Sequence, residues 1–152
     1  MEYCLADARK NGKSGVCMLG SKKQKAWLSD QSFAKKFGFE VVDTTKDGYE
    51  LLALSFDGTM PEFAQTVKTQ EKQSEELTVY YDMQCPFVWQ NIKILKEYCE
   101  THRIPASFIL VDSLKKAKEL PCVFNNWAVF YKGKFETVNL FDVTHLQKIL
   151  NR

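Results

Sequence analysis

A short strand followed by an amphipathic helix constrains the carboxy-terminal half of this chain more than any other feature. Residues 77–81 form an apolar, β-prone run. Pro86 then stands where a helix can begin, because a first-turn residue needs no N–H. The next apolar residues recur at spacings of four, three and four, which places them on one stripe of a helix. They are Val88, Ile92, Leu95 and Cys99.

The remainder of this half predicts a small α/β domain. A strand at 108–111 follows the helix, and Ser113 can cap a short helix after it. Two β-prone runs, 127–131 and 135–140, flank the turn signal Lys132-Gly133. A last helix begins at Asp142, and its inner face carries Leu146, Ile149 and Leu150. The order β-α-β-α-β-β-α predicts a four-stranded sheet with helices on both faces, whose first two strands are parallel.

The amino-terminal half predicts the order helix, strand, helix, strand, strand. Its first helix covers 3–10 and its first strand 16–19. Ser29 is the expected N-cap of the second helix, with Leu28 and Phe33 as a hydrophobic staple. That helix has Phe33 and Phe37 on one face and ends at Gly38. Strands at 39–42 and 49–56 flank the hairpin signal Asp47-Gly48.

A polar stretch separates the two halves. Residues 62–76 contain many charges and few apolar anchors, and they follow the turn residues Asp57-Gly58 and Pro61. We therefore expect one domain at 1–60, a linker at 61–76 with a helical turn near 63–67, and a second domain at 77–152.

Composition excludes several classes of protein. The chain has 152 residues and a formal net charge of +2, too small to indicate nucleic acid or an anionic membrane surface as a partner. No apolar run approaches the roughly 20 residues of a membrane-spanning helix. Its five cysteines are irregularly spaced without C-x-x-C, and neither of its two histidines pairs with them as a metal ligand would. We expect no metal and a reduced, cytoplasmic protein.

Two segments of the second half resemble a known family. Leu-Thr-Val-Tyr-Tyr-Asp-Met-Gln-Cys-Pro-Phe at 77–87 and Phe-Tyr-Lys-Gly-Lys-Phe at 130–135 are similar to the YoaP-like domain that follows some bacterial acetyltransferases. The element order is also that of the minimal thioredoxin-like fold. The resemblance implies a thioredoxin-like YoaP domain over nearly the whole second half.

The first half resembles the carboxy-terminal part of a GNAT-type N-acetyltransferase. The similar segments are Gly-Val-Cys-Met-Leu at 15–19, Phe-Ala-Lys-Lys-Phe-Gly-Phe-Glu-Val-Val-Asp at 33–43 and Glu-Leu-Leu-Ala-Leu at 50–54. In that family a helix ending in Gly-Phe leads into a hairpin of the last two strands. The resemblance implies acetyl-CoA as cofactor and an amine as acetyl acceptor in the complete fold.

The chain departs from the GNAT pattern in three ways. That family holds the acetyl-CoA pyrophosphate on a loop reading Arg/Gln-x-x-Gly-x-Gly/Ala, which is absent from this sequence. By the resemblance, the chain begins inside the helix that follows this loop, and the strand before it is missing. Many members also have a tyrosine general acid where this chain has Ala34. We therefore expect this chain alone to be incomplete and inactive as an acetyltransferase.

Cys85 is the first candidate for chemistry of its own. It lies between a predicted strand and a helix start, where unpaired N–H groups and the helix dipole favour a thiolate. Val88 occupies the position of a resolving cysteine, so only a monothiol reaction remains, or a weaker pairing with Cys122. Asn125-Asn126 stand where thioredoxin-like folds usually have a cis proline. The alternative is an inherited cysteine without a function.

Two basic segments complete the candidate list. Lys22, Lys23 and Lys25 form a loop that could attract the phosphates of CoA in a complete GNAT fold, or could be an ordinary solvated loop. Gly12-Lys13-Ser14-Gly15 resembles the end of a phosphate-binding loop, but a helix precedes it and a strand follows, so it predicts a turn.

Three functions remain open on the sequence. They are a GNAT-related protein that is incomplete in this chain, a thiol-active thioredoxin-like module using Cys85, and a non-catalytic module that binds a partner. The incomplete first half predicts an exposed apolar edge and face. A homodimer, a complementing chain or the second domain could cover that surface, whereas nucleic acid and membrane are not expected.

Overall fold

The computed structural model describes residues 1–25, 27–74 and 76–151, and the chain is α/β, as predicted. It divides into two compact units, Met1–Lys68 and Thr69–Arg152. The elements that begin in the first unit are α1 (Glu2–Lys10), β1 (Gly15–Ser21), α2 (Ser32–Lys35), β2 (Glu40–Thr44), β3 (Tyr49–Ser55) and α3 (Gln65–Thr69). Those of the second are β4 (Leu77–Tyr81), α4 (Pro86–Thr101), β5 (Ala106–Leu110), α5 (Leu114–Lys118), β6 (Trp127–Tyr131), β7 (Lys134–Thr137) and α6 (Val143–Leu150).

The first unit is an antiparallel sheet in the order β1-β3-β2. One face of the sheet packs against the helices, because alternate strand residues such as Val16 and Leu52 meet Leu5 and Ala34 in one apolar cluster. Leu52 has no exposed surface. The β2–β3 turn closes as predicted, with Thr45 N donating to Tyr49 O at 2.9 Å.

The start of α2 differs from the prediction. Ser29 is not its N-cap, since the helix begins at Ser32 and Asp30 Oδ1 accepts a 2.8 Å hydrogen bond from Ser32 N. Phe33 is therefore the second helical residue, two positions before the N4 position of a staple, and Leu28 lies three positions before the N-cap. It remains half exposed and its ring contacts that of Phe37 at 5.3 Å, as expected for residues on one helix face.

The second unit contains a four-stranded sheet in the order β5-β4-β6-β7. β4 and β5 are parallel, as the crossover rule predicts, and the other pairs are antiparallel. α4 buries the predicted stripe, whose members Val88 and Ile92 have no exposed surface. The predicted hairpin is present, and its turn has positive φ at both Lys132 (49°) and Gly133 (75°), which is type I′ geometry.

The prediction of helices on both faces is met on one face only. α4 and α6 share one core with Leu77 and Val79, whereas no residue of α5 is buried. On the opposite face, the segment before β4 provides cover. Lys72 Nζ donates to Thr78 Oγ1 at 2.9 Å and lies 5.5 Å from the centroid of the Tyr80 ring.

The predicted linker at 61–76 spans the division between the units, and both of its ends make contacts. In the first unit, Phe63 N donates to Asp43 Oδ2 at 2.8 Å, and Lys68 forms an ion pair with the same carboxylate. In the second unit, Lys72 N donates to Gly133 O at 2.9 Å. The predicted helical turn is present as α3.

Candidate functional site

Cys85 lies at the N-cap of α4, where the sequence predicts it. Its backbone is extended, with φ −102° and ψ 124°, and Pro86 follows as the first helical residue. The thiol makes no capping hydrogen bond, and the N–H of Val88 donates to the Cys85 carbonyl oxygen at 3.1 Å instead. The side chain is half-buried and packs at the border of the main core. The helix start therefore positions the sulfur without using it as a cap.

Three loops meet at the edge of the sheet that carries Cys85. Because β4 and β5 are parallel, the residues after both strands lie at one edge. The loop before β6 reaches the same edge, since Asp82 N donates to Asn126 O at 3.1 Å. Large apolar side chains are exposed there, namely Met83 at 50%, Phe87 at 69% and Leu114 at 71%. Exposed apolar side chains therefore lie at the same edge of the sheet as the thiol, where a partner could contact them.

Cys122 has different surroundings. It is buried, and its sulfur is close enough to Tyr80 to add to the effect of burial, which raises the pKa of that phenol. Tyr80 alternates with Val79 and Tyr81 along β4, and those two residues face the core that Cys85 borders. All five cysteines belong to the described part of the chain, and none forms a disulfide. A reaction between Cys85 and Cys122 stays a prediction.

The basic loop follows β1 and borders a shallow cavity of about 340 Å³. Lys22 and Lys23 are exposed there. Lys25 is already engaged, because its Nζ donates to Asp47 O at 3.0 Å and lies 4.5 Å from the Tyr49 ring centroid. The Trp27 ring contacts the same tyrosine at 5.6 Å. The sequence analysis missed this aromatic pair because Trp27 and Tyr49 are 22 positions apart and show no local pattern.

The structure also shows the positions of two other residues discussed in the sequence analysis. Ala34 is 1% exposed within the apolar cluster of the first unit, so a methyl group lies where a GNAT tyrosine is expected. Gly12 has φ +63° in the turn between α1 and β1, as predicted for that segment. Across the described residues, no group of three or more histidine, cysteine or acidic side chains could hold a metal ion. No helix among them has both the length and the apolar character needed to cross a membrane.

Comparisons with known proteins show which proteins this chain resembles. Residues 105–148 match the YoaP-like family model, a segment that includes Cys122 and excludes Cys85. The chain is 30% identical over 153 residues to a Bacillus subtilis (strain 168) protein named "Uncharacterized N-acetyltransferase YoaP". That alignment covers 99% of this chain and 61% of the relative, so the chain spans about three fifths of the relative's length. No solved structure matches.

Both matches point to the same group of proteins. The chain is related to a protein that bears an N-acetyltransferase name, and part of its second unit is YoaP-like. The similarity to the named relative extends over both units of the chain.

Proposed function

We propose that the protein serves acetyl transfer from acetyl-CoA to an amine, and that this chain supplies the carboxy-terminal part of a GNAT-type fold. The observation that carries the proposal is the 30% identity over 99% of the chain to a protein named as an N-acetyltransferase. The first unit is compatible with it, because α2 is followed by Gly38-Phe39 and the β2–β3 hairpin, the arrangement on which the GNAT resemblance rests.

The reaction requires groups that these 152 residues do not contain. The amine attacks the thioester carbonyl and gives up a proton, an amide forms as the carbonyl C–S bond breaks, and the departing CoA sulfur takes up a proton. A GNAT enzyme holds the cofactor on its pyrophosphate loop, and that sequence is absent here. Many GNAT enzymes supply this proton from a tyrosine general acid, and this chain has the buried methyl group of Ala34 at that position. We therefore propose that the chain does not catalyse the transfer alone.

The chain can still contribute electrostatically to cofactor binding. The exposed Lys22 and Lys23 border the shallow cavity after β1, where their charges would attract the phosphates of CoA. Lys25 is held against Asp47 O and Tyr49, so it would shape the loop more than contact a phosphate.

Acetyl transfer can be assayed by mass spectrometry of a panel of primary amines incubated with acetyl-CoA. We expect acetylated product with the full-length Bacillus subtilis relative and none above background with this chain. Product formed by the chain alone would contradict its incompleteness. Failure of the relative with every amine tested would count against acetyl transfer as the function of the group.

A thiol reaction at Cys85 is the second candidate function, and its position at the N-cap of a 16-residue helix favours it. The apolar rim formed by Met83, Phe87 and Leu114 would suit a protein substrate. Under this proposal the second unit is a thioredoxin-like module that forms a mixed disulfide and needs an external thiol to resolve it. Without a reactive thiol, the same rim would serve a module that only binds a partner.

A further inference from the structure

We propose that the second sheet carries a binding site for a primary alkylammonium group, and that Lys72 of the same chain occupies this site in the structure. The site consists of the Thr78 hydroxyl, the Tyr80 ring and the Glu76 carboxylate, on the face opposite α4 and α6. Its ligand would be the side chain of a lysine or a free alkylamine. The proposal concerns binding and does not depend on acetyl transfer, although an amine is also the acceptor that such a reaction needs.

Two of the three groups belong to β4 and are fixed by the sheet. Lys72 Nζ donates to Thr78 Oγ1 at 2.9 Å and lies 5.5 Å from the centroid of the Tyr80 ring. Thr78 has no exposed surface, and the Tyr80 ring packs edge-on against the Phe130 ring at 6.0 Å. A hydroxyl acceptor and an aromatic face are partners that suit an ammonium group. The position of both groups is therefore determined by β4 and its neighbour β6.

Glu76 supplies a negative charge to the site. Ser107 Oγ donates to Glu76 Oε2 at 3.2 Å, and Ser107 lies next to Thr78 in the parallel pairing of β4 with β5. Burial lowers the pKa of Lys72 below its ordinary 10.5, and the charge of Glu76 opposes this effect. An amine at this position is attracted by a carboxylate, yet it loses its proton more readily than in water.

The lysine that occupies the site belongs to residues 70–74, which we call the strap. Lys72 N donates to Gly133 O at 2.9 Å, and Glu71 forms an antiparallel bridge to Lys134 of β7. The strap is thus a short segment bridged to an edge strand, and its lysine side chain enters the site. The occupant identifies the ligand chemistry, because a lysine on another chain can make the same contacts to the hydroxyl and the ring.

Two features of the strap oppose its docked position. Gln70 has a φ of +56°, a left-handed backbone conformation that is unfavourable for a residue with a Cβ atom. Its Nε2 is buried, and it has no hydrogen-bond partner in the part of the chain that the structure describes. Both costs belong to the strap and not to the site. An external ammonium group, which bears neither cost, can therefore displace Lys72.

Lys132 provides a matched control for the aromatic contact. Its Nζ lies 4.9 Å from the centroid of the Tyr131 ring, which is closer than Lys72 Nζ lies to the Tyr80 ring. Lys132 is exposed in the hairpin turn, however, whereas Lys72 is half-buried against a fully buried hydroxyl. Removal of the Lys132 side chain should therefore leave no site for an amine, because a ring in water attracts an ammonium group only weakly.

Calorimetric titration of Nα-acetyl-lysine amide and of cadaverine tests the proposal. Lys72→Ala should bind at least one of them saturably, and the unmodified chain should bind it about tenfold more weakly because Lys72 competes. Nα-acetyl-norleucine amide, which lacks the ammonium group, should not bind. Thr78→Val added to Lys72→Ala should weaken binding about tenfold, because the hydroxyl acceptor is lost. Lys132→Ala should bind no more tightly than the unmodified chain. Tighter binding of the lysine compound would assign the site to protein side chains, and tighter binding of cadaverine to free amines.

The NMR signal of the Lys72 Hε protons provides a second readout in the unmodified chain. Saturating amine should move this signal towards that of a free lysine, because the side chain leaves the Tyr80 ring. Three results would overturn the proposal. They are no saturable binding by Lys72→Ala with an unchanged circular dichroism spectrum, equal binding of the norleucine compound, and an unchanged Lys72 signal at saturation. No acetyl-CoA is present in these experiments, so their outcome is independent of acetyl transfer.

Discussion

Lys68 Nζ lies 2.8 Å from Asp43 Oδ2, and this ion pair ties the end of the first unit to its edge strand β2. The same carboxylate accepts hydrogen bonds from Phe63 N at 2.8 Å and Thr44 N at 2.9 Å. One side chain therefore holds a segment whose sequence is typical of a linker. Because these contacts are made by the Asp43 carboxylate, the stability of the first unit in acid should depend on this residue.

Asp43 should make the first unit sensitive to acid. The hydrogen bond from Lys68 is the main reason that the pKa of this carboxyl lies below its ordinary 3.8, and the Phe63 and Thr44 amides act in the same direction. Because the pKa is lower in the folded state, the stabilisation is complete above the unfolded pKa and is lost as pH falls through the folded pKa.

Urea unfolding of the first unit between pH 7 and pH 3, compared with Asp43→Asn, measures this contribution. The unmodified chain should lose more stability than the variant as the pH is lowered. Parallel pH profiles would show that the carboxylate contributes nothing in this range.

Gly133 should be less tolerant of substitution than a hairpin glycine with similar backbone angles. A Cβ added at Gly133 would lie 2.5 Å from Lys72 O, whereas one at Gly48 would meet nothing within 4 Å. Their φ angles are +75° and +80°, so both substitutions cost about 1 kcal/mol of backbone strain. Only Gly133→Ala should also displace the Lys72 segment. Thermal unfolding should give a lower Tm for Gly133→Ala than for Gly48→Ala, and equal values would contradict the close contact.

Ile92 should be among the most costly residues to truncate. It has no exposed surface in the core between α4 and the sheet, and Ile92→Ala should destabilise the second unit by about 2–5 kcal/mol. Ile94 lies on the same helix but is 46% exposed, so Ile94→Ala is a matched control with a much smaller expected effect. Chemical denaturation followed by circular dichroism distinguishes them. Similar losses for both variants would mean that the buried stripe has been assigned to the wrong face.

Cys85 should react faster than its exposure alone suggests if the second unit is thiol-active. Cys4 is exposed on α1 and provides an internal comparison, whereas Cys85 is half-buried. Alkylation with iodoacetamide at neutral pH, followed peptide by peptide with mass spectrometry, gives both rates in one sample. Faster alkylation of Cys85 than of Cys4, despite its lower exposure, would support thiol chemistry at this site. A slower Cys85 would leave the exposed rim as a binding surface without thiol chemistry.

The parts of the fold that could be predicted are those determined by local sequence patterns. The stripe from Val88 to Cys99 and the turn at Lys132-Gly133 are both determined by residues close together in sequence, and both are present. The parallel pairing of β4 with β5 followed from the helix that connects the two strands. These features needed no knowledge of distant contacts.

The unpredicted features depend on contacts between residues far apart in sequence. Asp43 binds residues 20 and 25 positions away, and Lys72 covers Thr78 and Tyr80 from a stretch with no apolar pattern. The start of α2 shifted because Asp30, rather than Ser29, accepts a hydrogen bond from its first turn. At the candidate site, the sequence located Cys85 but gave no indication that exposed apolar residues from one loop and the starts of two helices would lie at the same edge of the sheet.

The most direct test of the central proposal is calorimetric titration of acetyl-CoA into this chain, with the full-length Bacillus subtilis relative titrated in parallel. The proposal that these residues form only part of an acetyltransferase fold predicts saturable heat for the relative and none for the chain. Saturable micromolar binding by the chain alone would contradict it, because a complete acetyl-CoA site would then exist within these 152 residues.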